Sequence, residues 1–213
     1  MRPPQSFIPG LVNLAPLLIT AASSSEFSDD WAFVKRCVCG DTEAFRPLVQ
    51  KYQRLAYSVS LRMMRSHADA EDVVQQSFIA AFRALPRFDG SQHERAFRVW
   101  LLRIVVNRAK DSLKARRSRD VQLSDETQAG SLQECSAQDP ESLASQRSEA
   151  HRLEVGLASL AEKYRTCLVL KDVEDLSYEE MHAVLRLPIT TLKIRVVRAR
   201  AMLRAWLIEQ EGT

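Results

Sequence analysis

The stretch from Ala96 to Arg119, AFRVWLLRIVVNRAKDSLKARRSR, constrains this chain more than any other. Apolar side chains at Phe97, Trp100, Leu101, Ile104, Val105, Val106 and Leu113 fall mostly three and four residues apart, which predicts an amphipathic helix with one face to bury. From Arg103 onward, Arg103, Arg108, Lys110, Lys114, Arg116, Arg117 and Arg119 stand against a single acid, Asp111. Charge at that density is costly inside a protein and favourable beside phosphates, where released counterions drive binding. Two readings follow. A basic helix end suits the helix dipole and can simply be solvated. Against that, Trp100 and Phe97 lie beside Arg103 and Asn107, and aromatic rings next to basic and amide groups are what a protein needs to hold unstacked bases.

Upstream, Trp31 to Cys39 reads as a short helix stopped by Gly40, and Asp41 can cap the next one. That helix carries Phe45, Leu48, Tyr52, Leu55, Ala56, Val59 and Met63 on one face, with Pro47 expected to delay or bend its start. Ser66, followed three residues later by Asp69, is a weaker version of a capping box. Val73, Val74, Phe78, Ala81, Phe82 and Leu85 then continue at helical spacing to Pro86. Asp69, Glu71 and Asp72 occupy a first helical turn, where carboxylates are favoured for purely structural reasons. The turn-rich PRFDGSQHER, holding His93, leads into the basic helix, and a helical bundle is the expected outcome.

Composition changes sharply after Arg119. Residues 120–146 hold six acids and neither Lys nor Arg, with many Ser, Gln and Ala, so 120–147 reads as a flexible acidic linker. Helical spacing resumes at Leu153, Leu157 and Leu160 and runs through Tyr164, Cys167, Leu168 and Leu170, with Gly156 a mild weakness. Ser177 followed by Glu180 is a full capping box, and Pro188 closes that short helix. A second helix follows, with Thr190 or Thr191 as its expected cap and Leu192, Val196, Ala199 and Leu203 as its buried stripe. Lys193, Arg195, Arg198, Arg200 and Arg204 ride on it without an acid, the pattern of a helix-turn-helix whose second helix enters the major groove.

These local asymmetries matter because the totals conceal them: 30 basic against 27 acidic residues leave a net charge of only +3. Cysteines at 37, 39, 135 and 167 form neither a disulfide framework nor a zinc spacing, and are expected to be reduced; no metal or other cofactor is expected. No uncharged run approaches membrane-spanning length, so no insertion into a membrane is expected. Phe7 to Ala22 superficially resembles a secretory signal but is interrupted by Pro9, Gly10, Asn13 and Pro16. Residues 1–25 therefore read as a flexible leader or a misassigned start. Neither a phosphate-cradling glycine loop nor a nucleophile signature is present, so no catalytic residue is assigned.

The residues carrying the basic helix, Phe97, Trp100, Leu101, Ile104, Asn107, Ala109, Asp111, Leu113, Arg116 and Arg117, resemble the promoter-melting helix of the extracytoplasmic-function (ECF) group of bacterial sigma factors. DAEDVVQQSFIAAFRAL is similar to that family's contact with core RNA polymerase, and LSYEEMHAVLRLP with the helix after it resembles its reader of the DNA element around −35. The resemblance implies an all-α protein of two small helical domains, 26–119 and 148–213, the second containing the helix-turn-helix. Core polymerase would meet Asp69, Glu71, Asp72, Gln75 and Gln76. The −10 element would be bound and opened by Trp100, Arg103, Asn107, Lys110, Lys114, Arg116 and Arg117, and the −35 element read by Thr191, Lys193, Ile194, Val197 and Arg198. It also implies promoter DNA as a partner, a cytoplasmic place of work and a cognate anti-sigma protein, in this family often membrane-anchored.

The chain departs from the pattern where Thr190, Leu192 and Ile194 replace the usual Gly, Val and Ser, so the family's −35 preference is not carried over. Arg186 stands where the turn usually has Gly, and it is expected to take a positive φ. The competing reading is a helix-turn-helix regulator that binds only duplex DNA. A nuclease and a purely protein-binding adaptor are weaker still, having no metal cluster and no need for the basic helix, respectively.

Overall fold

The computed structural model describes residues 29–89, 95–123 and 142–211; the leader, His93 and most of the acidic linker lie outside the described residues. The described residues are helical and contain no strand, as expected. The first helix, α1 (Asp29–Val38), ends before Gly40, whose φ of 102° only glycine adopts readily. Asp30 pins it to the next helix: its buried carboxylate accepts from Lys51 Nζ at 2.7 Å and from the Tyr52 hydroxyl at 2.5 Å. Asp41 caps a 3-10 turn (Thr42–Ala44), from which α2 (Phe45–Met64) runs directly. Pro47 neither delays nor bends that start, because it sits in the first turn, where its missing N–H would have had no helical acceptor.

Helix α3 (His67–Ala84) begins at Ser66, whose hydroxyl accepts from the Asp69 N–H at 3.3 Å. The expected capping box is one-sided. The Asp69 carboxylate instead takes Arg116 Nη1 at 2.9 Å, tying α3 to α4 (Ala96–Leu123). Leu101, Leu102, Val105, Val106 and Ala109 are fully buried, so the apolar half of the basic stretch is the wall of the bundle. Helical backbone continues past Arg119 to Leu123 and resumes in α5 (Ser142–Ser159), so that helix occupies both ends of the segment 120–147 read as linker.

The single helix expected over 153–170 is two. α5 ends at Ser159, and α6 (Glu162–Leu168) passes into a π turn (Val169–Val173). Gly156 is a close-approach position rather than a weak point: a Cβ there would stand 2.7 Å from Leu203 Cδ1 and 2.8 Å from Trp206 Cε3. Helix α7 (Tyr178–Leu185) has both arms of its capping box, Glu180 N to Ser177 Oγ at 3.0 Å and Ser177 N to Glu180 Oε2 at 2.7 Å. Arg186 closes α7 in the left-handed region at φ 54°, as expected. Helix α8 (Ile189–Glu211) starts earlier than expected. The Leu192 N–H bonds the Pro188 carbonyl, which places Thr190 and Thr191 inside the first turn and leaves neither as the cap.

The two halves are not apart. One apolar core runs from Val34 through Val105 and Val106 to Cys167, Leu170, Met181, Val184, Leu192 and Val196, with α7 packed on α4. A second cluster, Leu157, Leu160, Leu168, Ala199 and Leu203, holds α5 and α6 to α8. Local periodicity had identified the buried faces without showing that faces from opposite ends of the chain bury each other.

Candidate nucleic-acid interface

Three surfaces carry the expected functional residues, and they differ in accessibility. On α3, Glu71, Asp72, Gln75 and Gln76 are exposed, while Ala70, Val73, Ser77 and Phe78 face inward. Asp69, half-buried and paired with Arg116, is the exception on that face. Two residues expected to meet different partners thus meet each other. Ile79 and Phe82, further along α3, are also exposed.

On α4 the expected residues fall into two sets. Asn107 and Lys114 are exposed. Trp100 is half-buried, its ring 4.8 Å from Phe88 and 5.7 Å from Phe97, so part of the indole serves the core and part reaches the surface. With Arg103 it lines a cleft of about 1080 Å³ whose other side includes Ser177, Glu179 and Glu180 of the α7 start. Lys110 is half-buried: burial holds its ammonium below the usual lysine value and Arg195 adds to this, while Glu162 and Cys167 oppose it. Arg117 Nη2 donates to Glu162 at 2.7 Å. Arg116 and Arg117 thus pair with acids of their own chain, Arg117 while still exposed.

On α8 the expected −35 residues stand outward. Lys193, Ile194, Val197 and Arg198 are exposed, Ile194 by 53% and Val197 by 63%, while Thr191 is half-buried. Leu192, Val196, Ala199 and Leu203 are buried beneath them, which sets the rotation of the helix. Two tyrosines hold the cations of this face. Lys193 Nζ lies 5.6 Å from the Tyr178 ring centroid, and Arg198 beside Tyr164 holds that hydroxyl below the usual tyrosine pKa. Sequence reading missed both, since nothing in local spacing marks an aromatic as a cation's support.

It also missed the polar contacts that join the halves. Glu174, 9% exposed, receives Ser58 Oγ at 3.2 Å and Arg98 Nη2 at 3.4 Å, and Arg98 Nη2 makes its shorter bond, 2.7 Å, to the Glu174 carbonyl. Burial pushes the Glu174 carboxyl above its ordinary value; Arg98, the Ser58 hydrogen bond and Arg62 oppose this without cancelling it, the charged contact to Arg98 being long. Arg165, 6% exposed, reaches from α6 to the Met63 carbonyl at 3.2 Å, and loss of hydration lowers its pKa. Among the described residues, no group of His, Cys, Asp or Glu could hold a metal ion, and no helix is long and apolar enough to cross a membrane.

Comparison with known proteins places both halves. Residues 48–119 match sigma-70 region 2, and residues 150–203 match sigma-70 region 4. The chain is 37% identical over 183 residues to the ECF RNA polymerase sigma-E factor of Salmonella typhimurium, covering 83% of this chain and 93% of that one. It is 36% identical over 176 residues to the RNA polymerase sigma-H factor of Pseudomonas aeruginosa, covering 80% and 90%. Among solved structures, CnrH in complex with the cytosolic domain of CnrY superposes with a TM-score of 0.61 at 27% identity, over 84% of this chain and 97% of that one. The sigma factor RpoE in complex with the anti-sigma factor NepR from Bartonella quintana shares the fold, with a TM-score of 0.64 at 24% identity over 76% and 96%. A regulator that binds only duplex DNA would not carry both regions in this order. The chain belongs to the sigma-70 family and, within it, to the ECF RNA polymerase sigma factors, the subunits that bind core polymerase and direct initiation at promoters.

Proposed function

We propose that the work of this sigma factor divides along the chain. Residues 26–119 bind core polymerase and open the −10 element, 148–213 read the −35 element, and 120–147 connect them. Exposed Glu71, Asp72, Gln75 and Gln76, with Asp69 at the edge of the face, form the polymerase contact. Trp100, Asn107 and the cations Arg103, Lys110, Lys114, Arg116 and Arg117 take the melted strand. Thr191, Lys193, Ile194, Val197 and Arg198 meet the duplex upstream. RNA synthesis stays with the polymerase; this chain contributes no catalytic residue, metal or cofactor, and works in the cytoplasm. CnrH and the Bartonella RpoE were each solved with a protein partner, and an anti-sigma protein is the corresponding partner here.

The observation that carries the reading is the build of α4: one face locked in the core by Leu101, Val105 and Ala109, the other offering a half-exposed indole, an exposed amide and cations. Stacking of one base on an aromatic ring is worth about 1–3 kcal/mol. Replacing Trp100 and Asn107 by Ala is expected to reduce transcription from an intact duplex far more than from a template already melted at −10. Equal losses on both templates would mean a damaged fold and no melting role.

A further inference from the structure

Asp69 forgoes the role that its place in the first turn of α3 offers. In a full capping box its carboxylate would reach back to the Ser66 N–H; only the other arm, Asp69 N to Ser66 Oγ at 3.3 Å, is formed. The carboxylate turns across to α4 instead, where Oδ2 accepts from Arg116 Nη1 at 2.9 Å. Both ends of that bond are fixed. Ser66 holds the Asp69 backbone, and Arg116 lies three and seven residues after Leu113 and Ala109, which pack into the core. The pair nevertheless stays at the surface, the Arg116 side chain 43% exposed and that of Asp69 37%. Among the described residues Nη1 is the one nitrogen of Arg116 so engaged, which leaves the Nε and Nη2 donors, the fork that suits a phosphate, free.

We propose that Asp69 is a positioning residue for strand binding: its carboxylate holds the Arg116 guanidinium at the edge of α4 with the Nε and Nη2 donors turned to a backbone phosphate of the melted strand. This rests on the reading of α4 given above, and it gives Asp69 a task on the DNA side besides its place at the edge of the polymerase face. An arginine held in this way has given up much of its rotamer freedom before the strand arrives, so less is lost on binding. The carboxylate, on the far side of the guanidinium in a pair open to solvent, repels the phosphate only weakly. Holding therefore outweighs repulsion.

The test turns on a sign. If net charge alone mattered, removing an acid beside a phosphate site would strengthen DNA binding; here it should weaken it. Asp69→Asn, Arg116→Ala and the double variant are each used as the full chain saturating core polymerase, so that a loss at the polymerase contact is not read. The probe is fluorescein-labelled promoter duplex held open over −10 by mismatches, titrated at several salt concentrations. Asp111→Asn, an exposed acid on α4 itself, shows the effect of charge alone. Asp69→Asn should weaken binding about fivefold, the upper range for a part-exposed ion pair. It should also lower the slope of log affinity against log salt towards that of Arg116→Ala, which loses one phosphate contact and about 0.7 of slope. Added to Arg116→Ala, it should change affinity by less than about twofold, because it acts through that residue. Asp69→Asn binding that is tighter than wild type or within about twofold of it overturns the proposal. So does an equal weakening by Asp111→Asn, or a weakening by Asp69→Asn that persists in full without Arg116, which marks a structural role in α3. Should Arg116→Ala itself bind as wild type does, the assignment of Arg116 to the strand is what fails, and the positioning falls with it.

Discussion

Replacing Ile194 by Ser bears on how this sigma factor departs from its relatives, because the family pattern has serine there and a serine can hydrogen-bond a base edge or phosphate. Ile194 is 53% exposed and its neighbour Val197 63%; Ile194 lies two residues from each of the buried Leu192 and Val196, so it is turned neither into the core nor against another helix. Substitution at such a surface position should change folding stability by no more than about 0.5 kcal/mol, and Ile and Ser have similar helix propensities. An apolar side chain in the major groove favours a thymine methyl, and losing that contact should relax or redirect preference at one or two −35 base pairs by about 1 kcal/mol each, roughly fivefold. No charge changes, so the slope of log affinity against log salt should stay put. Lys193→Ala is the contrast. Its ammonium leans on Tyr178 at the exposed start of α8; if it meets phosphate, its loss should weaken all sequences alike and lower the salt slope by about one. The assay is selection from a randomised −35 library by the full chain with core polymerase at two salt concentrations, with circular dichroism of each variant. An unchanged base preference for Ile194→Ser in a folded protein refutes direct reading by this residue.

Two further outcomes follow from the same geometry. Reversing exposed Glu71 and Asp72 to Lys, leaving Asp69 to hold Arg116, should weaken core-polymerase binding with helical content intact; an affinity within about threefold of wild type, roughly 0.65 kcal/mol, would make these acids helix-start residues only. Docking should also depend on pH through Glu174, whose carboxyl is raised by burial in the docked state: that contribution is complete below the ordinary glutamate value and is lost as pH climbs through the raised one. Energy transfer between dyes on exposed Cys39 and at Gln210→Cys, in a Cys135→Ser background, should therefore fall as pH rises across that interval and be flat in Glu174→Gln; equal pH dependence in both proteins would reject the assignment.

What could be read from the amino-acid order follows a physical line. The α4 stripe, the Ser177–Glu180 box and the left-handed Arg186 each depend on residues within a few positions of one another, and each stands as expected. The starts and breaks that differ turn on backbone acceptors and tertiary contacts: Pro188 supplies its carbonyl in place of a threonine side chain, and α5 ends at Ser159 while α6 begins at Glu162. Gly156 looked like a cost to its helix because its partners, Leu203 and Trp206, lie some fifty residues on. The docking of the halves was less legible still, for a reason the basic helix makes plain. Arg98 is one of two cations in the apolar part of that helix, with Arg103, and by spacing alone it is another surface arginine. Its meaning comes from the Glu174 carbonyl, 76 residues away, and a periodic pattern states that a face is buried without stating by what. The exposed face of α8 could be assigned from sequence because its chemistry is complete on one helix. The α4 surface could be read only in part, because the acid that pairs with Arg117, Glu162, belongs to the other end of the chain.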